Sequence, residues 1–371
     1  MNLNNNIILM ITNMNKEFII IDPRPLEAFK DKTFSDFKKK DVFKKLFECL
    51  SLGKLEESCY WVTECIVSGY NLELFEKLII YCSKTIHINN PRLPKFLWRR
   101  YKTFLTSFDH IDTKNRDQLI HLRNTQSVRN CFFDLVTTIV DSPTGKRFNI
   151  EKVSDTDFQF STIQNKLTAT MQILPTSVIK FTDPEELRII MNEFFFHLKN
   201  ENGGYQKSCY WVTWLCQWEK LNKKRKIKFE IECRDISEVN PKYCKDCIWL
   251  LWEVIFEEAN LRKDSIKIQI QSLYRIFRHN YTCGKRNGRL PLIFHAIGYL
   301  TYPIKNIGLR KDKNSFIQTQ CNVNMMFKEK KNNEVKKYNP PAPKMKKIIG
   351  TDKEIAMSKF NSLMDIDELH R

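Results

Sequence analysis

Apolar positions recur at intervals of three and four residues along most of the chain, while strict alternation of apolar and polar positions is scarce. Val42, Leu46, Phe47 and Leu50 predict a helix that Thr33 or Ser35 could cap and that Gly53, able to turn left-handed, would end. A second helix is predicted over 55–68 with Ser68-Gly69 as its stop, and Leu72, Leu74, Phe75, Leu78, Ile79 and Cys82 mark a third. Beyond the break at Asn89-Asn90-Pro91, one face of a fourth carries Leu93, Phe96, Leu97, Tyr101, Phe104, Leu105 and Phe108. Further helices are predicted near 116–122 and 127–140. Thr182-Asp183-Pro184-Glu185-Glu186 combines a capping side chain, a first-turn proline and acids at the positive end of the helix dipole. It opens a second series, predicted over 184–199, 205–220, 244–260, 265–279 and 290–301. The run from Phe18 to Pro25, with two prolines and β-branched residues, suits a strand or a strap instead. The fold class predicted is all-α.

The hexapeptide Ser58-Cys59-Tyr60-Trp61-Val62-Thr63 occurs again as Ser208-Cys209-Tyr210-Trp211-Val212-Thr213, and the same offset brings Asn90-Pro91-Arg92 onto Asn240-Pro241-Lys242, Lys95 onto Lys245 and Gly53 onto Gly203. After a slip of ten residues, 132–143 matches 292–303 as an apolar run ending in proline. Self-similarity of this kind marks a duplicated unit. Two tandem helical repeat domains of about five or six helices each are therefore expected, 32–143 and 182–303. Residues 1–31 would precede them as an extended segment, 144–181 would link them, and 304–371 would follow as a basic, largely flexible tail.

Charge changes the picture from architecture to partners. The 371 residues carry a formal net charge of +18, which attracts polyanions through counterion release. Residues 304–347 hold twelve basic and three acidic side chains and include Pro340-Pro341-Ala342-Pro343. A segment so poor in buried-type residues is expected to stay unfolded, and the short amphipathic run Ile355, Met357, Phe360, Leu363 and Met364 beyond it could dock on a partner. Nucleic acid, DNA or RNA, is the first partner expected, and an acidic protein the second. The twelve cysteines lie in apolar periodic stretches, as Cys59, Cys65, Cys82, Cys131 and Cys209 do, and are read as reduced core residues of an intracellular, non-secreted protein. The apolar run Ile7 to Ile11 is too short to cross a bilayer, so no membrane span is expected.

Three basic groups could meet phosphates. The helix over 92–102 interleaves Arg92, Lys95, Arg99, Arg100 and Lys102 with Phe96, Trp98 and Tyr101, joining cations to aromatic rings on which bases can stack. In the second repeat the matched positions become Trp249, Leu250 and Trp252, as if that helix had turned inward. Arg275, Arg278, Lys285, Arg286 and Arg289 surround the glycine-bearing turn 283–288, and Lys223-Lys224-Arg225-Lys226 forms the third group. Each could equally be a solvated face. Cys244 and Cys247 have the spacing of half a zinc site that Cys233, His279 or Cys283 might complete, or they simply begin a helix. Glu253, Glu257 and Glu258 read as a solvent face, and the repeated Cys-Tyr-Trp as core packing. No phosphate-binding loop, HExxH, GxSxG or GxGxxG motif is present, so no cofactor is expected and a non-enzymatic role is favoured.

The stretch Arg24-Pro25-Leu26-Glu27-Ala28-Phe29-Lys30-Asp31-Lys32-Thr33-Phe34-Ser35, with Trp61-Val62-Thr63-Glu64, Ser68-Gly69 and His87-Ile88-Asn89-Asn90-Pro91-Arg92-Leu93-Pro94, resembles a family of uncharacterised proteins of large nucleocytoplasmic DNA viruses. That resemblance implies a setting in the host cytoplasm, at a viral factory, or in the virion, and no catalytic residue. A looser similarity to the helical collar of clamp-loader subunits rests on Gly53 to Glu57 and Ser68-Gly69-Tyr70, without an ATPase domain beside it. The function expected is a non-enzymatic viral protein binding nucleic acid in replication, transcription or packaging. An interaction scaffold or virion component is the alternative, and a metal-dependent nucleic-acid enzyme the third.

Overall fold

The computed structural model describes residues 16–108, 116–145, 150–200, 203–227, 230–310, 313–338 and 340. Helix accounts for 65% of the chain, and the described residues contain no strand beyond one isolated bridge between Lys32 and Lys38. The first half folds as α1 (Lys39–Ser51), α2 (Leu55–Val67), α3 (Asn71–Tyr81), α4 (Leu93–Thr106) and α5 (Gln126–Asp141). The short α6 (Phe160–Lys166) lies between the halves. The second half folds as α7 (Glu186–Leu198), α8 (Gly204–Lys224), α9 (Ile248–Ala259), α10 (Asp264–Arg278) and α11 (Cys283–Thr301), followed by α12 (Lys313–Lys331). Glycine ends the first two helices: Gly53 and Gly69 sit at φ +71° and +76°, and the backbone N–H groups of Lys54 and Tyr70 reach back to the carbonyls of Cys49 and Cys65.

Corresponding helices pack in corresponding pairs: α1 on α2 as α7 on α8, α2 on α5 as α8 on α11, and α4 on α5 as α9 on α11. Within the two hexapeptides Ser, Cys and Val are buried in both copies. Tyr60 meets Trp61 edge-on at 5.1 Å, and Tyr210 meets Trp211 edge-on at 5.2 Å. Thr63 donates its hydroxyl back to the Cys59 carbonyl, and Thr213 donates its own to the preceding turn, at 2.7 Å from the Tyr210 carbonyl and 3.3 Å from that of Cys209. Each tyrosine ring also lies under a lysine, supplied by unrelated segments. The Lys330 ammonium of α12 is 3.4 Å from the Tyr60 centroid, and Lys166 of α6 is 4.2 Å from that of Tyr210. Coverage is thus crossed: the segment after the first half covers the hexapeptide helix of the second, and the segment after the second half covers that of the first.

Two expectations change. The halves do not fold as separate domains, because α4 packs lengthwise on α10 and the buried apolar residues of both form one continuous core. Tyr299 donates to the Pro91 carbonyl at 2.9 Å across that seam, and the described residues up to Val335 form one compact unit. Nor is the basic tail flexible over its first part. Helix α12 lies on α2 and α5 through Thr319, Val323, Phe327 and Lys330, which share one face at helical spacing. Its anchor is the Lys330–Glu64 pair at 2.7 Å, with side chains 2% and 0% exposed. Burial opposes ionisation of Glu64, but Lys330 and hydrogen bonds from the Ser35 backbone and hydroxyl hold its carboxyl below the usual range. The remainder of the expected tail, 341–371, with its amphipathic run, lies outside the described residues.

The segment from Phe18 to Pro25 is a strap. The Asn124 side chain exchanges two hydrogen bonds with the Ile20 backbone at 2.9 Å each, as a neighbouring strand would. Glu334 and Val335 bond its other edge at Ile21 and Asp22. Asp183 does not cap α7. Its carboxylate instead grips Arg234 through two bonds of 2.7 and 2.9 Å, pinning 230–234 to the start of the second half. Glu258, expected on a solvent face, is buried against Arg262, and Glu253 reaches Arg234. The described cysteines are free thiols, mostly buried, and burial pushes Cys59 and Cys131 up to about 12, which keeps them inert.

Two outcomes follow for unfolding experiments. Lys330→Ala, which strands a buried carboxylate, should lower stability by about 3 to 5 kcal/mol in urea titration, and an unchanged midpoint would detach α12 from the fold. Trp211→Ala, removing a side chain in a site 1% exposed, should cost about 3 to 5 kcal/mol. Trp61→Ala should cost clearly less, since Trp61 is half-buried against Phe37.

Candidate nucleic-acid interface

The seam between the halves opens at one end into a groove of about 1300 Å³, walled by α4, by the start of α10 and by the segment 302–310. Proline at the second position of α4 favours its start, so Arg92, Lys95 and Arg99 follow at helical spacing along the wall that leaves Leu93 and Leu97 in the core. All three are exposed. Lys263, just before α10, and Lys305, after α11, face the same space from the other half. Among the described residues none of these five cations makes an ion pair, and no acidic side chain lines the groove. Asp264, the nearest acid in sequence, does not line it. Phe96, Ile266, Tyr302, Ile304 and Leu309, all half-buried, form an apolar floor, and the neutral polar residues Thr103, Ser265, Gln269 and Asn306 line the groove beside it.

Three more arginines border the groove but are committed. Arg100 and Arg310 both pair with the buried Asp134, and each guanidinium lies 5.5 Å from the Phe96 ring centroid. Arg262 pairs with Glu258 and donates to the Leu300 carbonyl at the end of α11, so the negative end of that helix does not face the groove uncovered. Of the first basic group, then, Arg92, Lys95 and Arg99 are available and Arg100 is structural. Lys102 is exposed beyond the groove lining, and Trp98 packs against the core instead of offering a stacking face.

The second basic group is mostly structural, because the turn expected at 283–288 is the opening of α11. Arg286 and Arg289 are buried: Arg289 donates to the carbonyls of Phe277 and His279 and reaches Glu76. Lys285 pairs with Glu76 at 3.3 Å, and Arg278 with Glu238. Arg275 and Lys285 are the exposed members of the group, and among the described residues Arg275 makes no ion pair. Lys223, Lys224, Arg225 and Lys226 are exposed at the C-terminal end of α8, where cations favour the helix dipole without any further partner.

The half-site for zinc is filled in another way. Glu219, Asp246 and Cys247 converge closely enough to hold an ion, but the Arg286 guanidinium already lies among them, bonded to Asp246 at 2.7 Å and to Glu219. Tyr281 donates to the second oxygen of Asp246 at 2.6 Å. Cys244 points its thiol at the Val239 and Asn240 carbonyls, and burial raises both Cys244 and Cys247, Cys247 strongly. This is a positively charged side chain solving the problem a metal would solve. Cys233 and Cys283 are exposed and join no ligand set.

Lys263 and Lys305 do not stand out as site residues in sequence, because Lys263 sits between Arg262 and Asp264 and Lys305 among neutral residues, and only the packing of α4 on α10 brings them opposite Arg92, Lys95 and Arg99. Chelation should leave the unfolding midpoint unchanged, whereas Arg286→Ala should lower stability by about 3 to 5 kcal/mol by leaving Asp246 and Glu219 uncompensated. A midpoint that falls with chelator would place a metal here after all. No family model, curated protein or solved structure matches this chain.

Proposed function

We propose that the chain binds nucleic acid through the groove between α4 and α10. The observation that carries this reading is the convergence on one concave surface of five exposed cations from both halves, with no ion pair and no acidic lining side chain among the described residues. Elsewhere in the fold many basic residues pair with carboxylates, buried as at Arg286 or exposed as at Lys32 and Lys45. Here they are kept apart from any carboxylate, which is what phosphate binding by counterion release requires. Lys95 and Arg99 lie on α4, and Arg92 and Lys263 immediately precede α4 and α10, so most of the surface is held by helices. The net charge of +18 would draw a polyanion to the molecule, and the resemblance to proteins of large DNA viruses suits a part in replication, transcription or packaging. Binding needs no catalytic group, and the reading assigns none.

Fluorescence anisotropy with labelled oligonucleotides tests this. Lys95→Glu/Arg99→Glu should weaken binding at least tenfold at low salt and reduce the slope of log affinity against log salt by about 1.4 to 1.8, while thermal unfolding stays unchanged. Absence of binding by the wild-type chain at low salt, or equal binding by the variant, would refute the groove.

A further inference from the structure

Resting on that reading, we infer that the groove takes single-stranded nucleic acid, with phosphates on the cationic walls and unpaired bases against the apolar floor. The juxtaposition of Arg92, Lys95, Arg99, Lys263 and Lys305 with Phe96, Ile266, Tyr302 and Ile304 in one recess supports this. A duplex presents its phosphates outward and keeps its bases stacked inside, so a surface made for it needs cations and polar groups. An apolar floor would gain nothing from such a partner and would lose water against phosphates. A single strand offers both chemistries at once, because its bases can leave the stack and lie on aromatic rings, on guanidinium planes or on aliphatic side chains.

Three further details agree. The groove, about 1300 Å³, exceeds the roughly 300 to 1000 Å³ of ordinary small-molecule pockets, so it has room for a segment of polymer. Its concavity also favours a flexible chain over a rod with a persistence length of about 150 base pairs. Moreover, Phe96 is braced by Arg100 and Arg310, both anchored on Asp134. That assembly is a layered aromatic and guanidinium platform whose orientation is fixed before any ligand arrives. An acidic peptide would satisfy the walls, but its acidic residues bring no ring with each charge, whereas a single strand couples a planar base to every phosphate.

The test uses the full chain and fluorescein-labelled 20-nucleotide probes: a single strand, the matching blunt duplex, and the same single strand with abasic sites replacing its central bases. The single strand should bind at least tenfold more tightly than the duplex, and the abasic probe should lose about tenfold. Duplex binding as tight as single-strand binding, or an abasic probe that binds unchanged, would overturn the inference. In either case Lys95→Glu/Arg99→Glu would still weaken whatever binds, so the failure would be separate from that of the groove itself. Polyglutamate at equal charge concentration should compete weakly. If it displaces the single strand as well as unlabelled oligonucleotide does, the floor plays no part and an acidic protein is the better occupant.

Discussion

A carboxylate withdrawn from water must meet a cation or a set of donors, and in this molecule that constraint sorts structural from functional charge. Glu64 takes Lys330, Asp183 takes Arg234, Asp246 takes Arg286, and Asp134 takes Arg100 and Arg310. Each pair joins segments far apart in the chain, so each also fixes the placement of an element: α12 on the first half, the 230–234 segment on the second, α9 against α11, and the chain after α11 against α5. Such pairs add little net stability compared with apolar packing, yet breaking one leaves a charge that nothing else can solvate. They act as registration marks in a core otherwise built from interchangeable aliphatic and aromatic side chains. Five of the basic residues not claimed in this way converge on the groove.

Helix positions were legible wherever an apolar stripe was wide and its stops were strong, as with Gly53 and Gly69 after α1 and α2. The duplicated hexapeptide was legible too, and its copies share buried Ser, Cys and Val positions and the same Tyr–Trp geometry. Helix α12 was hidden because its inward face is Thr319, Val323, Phe327 and Lys330, a narrow stripe ending in a charge. Composition described that segment as soluble, and only Glu64, concealed in α2, makes a lysine there worth burying. The opening of α11 was misread for a related reason. Gly284 and Gly288 suggested a turn, but Arg286 and Arg289 between and beside them find carboxylates and carbonyls that hold the helix.

The site was half legible. Arg92, Lys95 and Arg99 stood out because they recur on one face of a single helix. Clustering in sequence was a poor guide elsewhere, since most of the second basic group, from Arg278 to Arg289, is consumed by neighbours, whereas Lys263 and Lys305 count because of where the fold takes them. Local density of charge reports solvation, and function depends on what remains after internal pairing. Nothing in one sequence gives that remainder until the pairs are known.

The crossed covering of the two hexapeptide helices has a consequence for biosynthesis. Tyr60 and Glu64 leave the ribosome early, but the lysine that shields them arrives 266 residues later, and the strap at Asp22 waits 313 residues for its bond to Val335. Contacts of such high order close slowly, because loop entropy is lost before the bond forms. A nascent chain of this protein would carry an open, acid-bearing helix until α12 emerges, and removing α12 would leave that helix permanently exposed to chaperones and proteases.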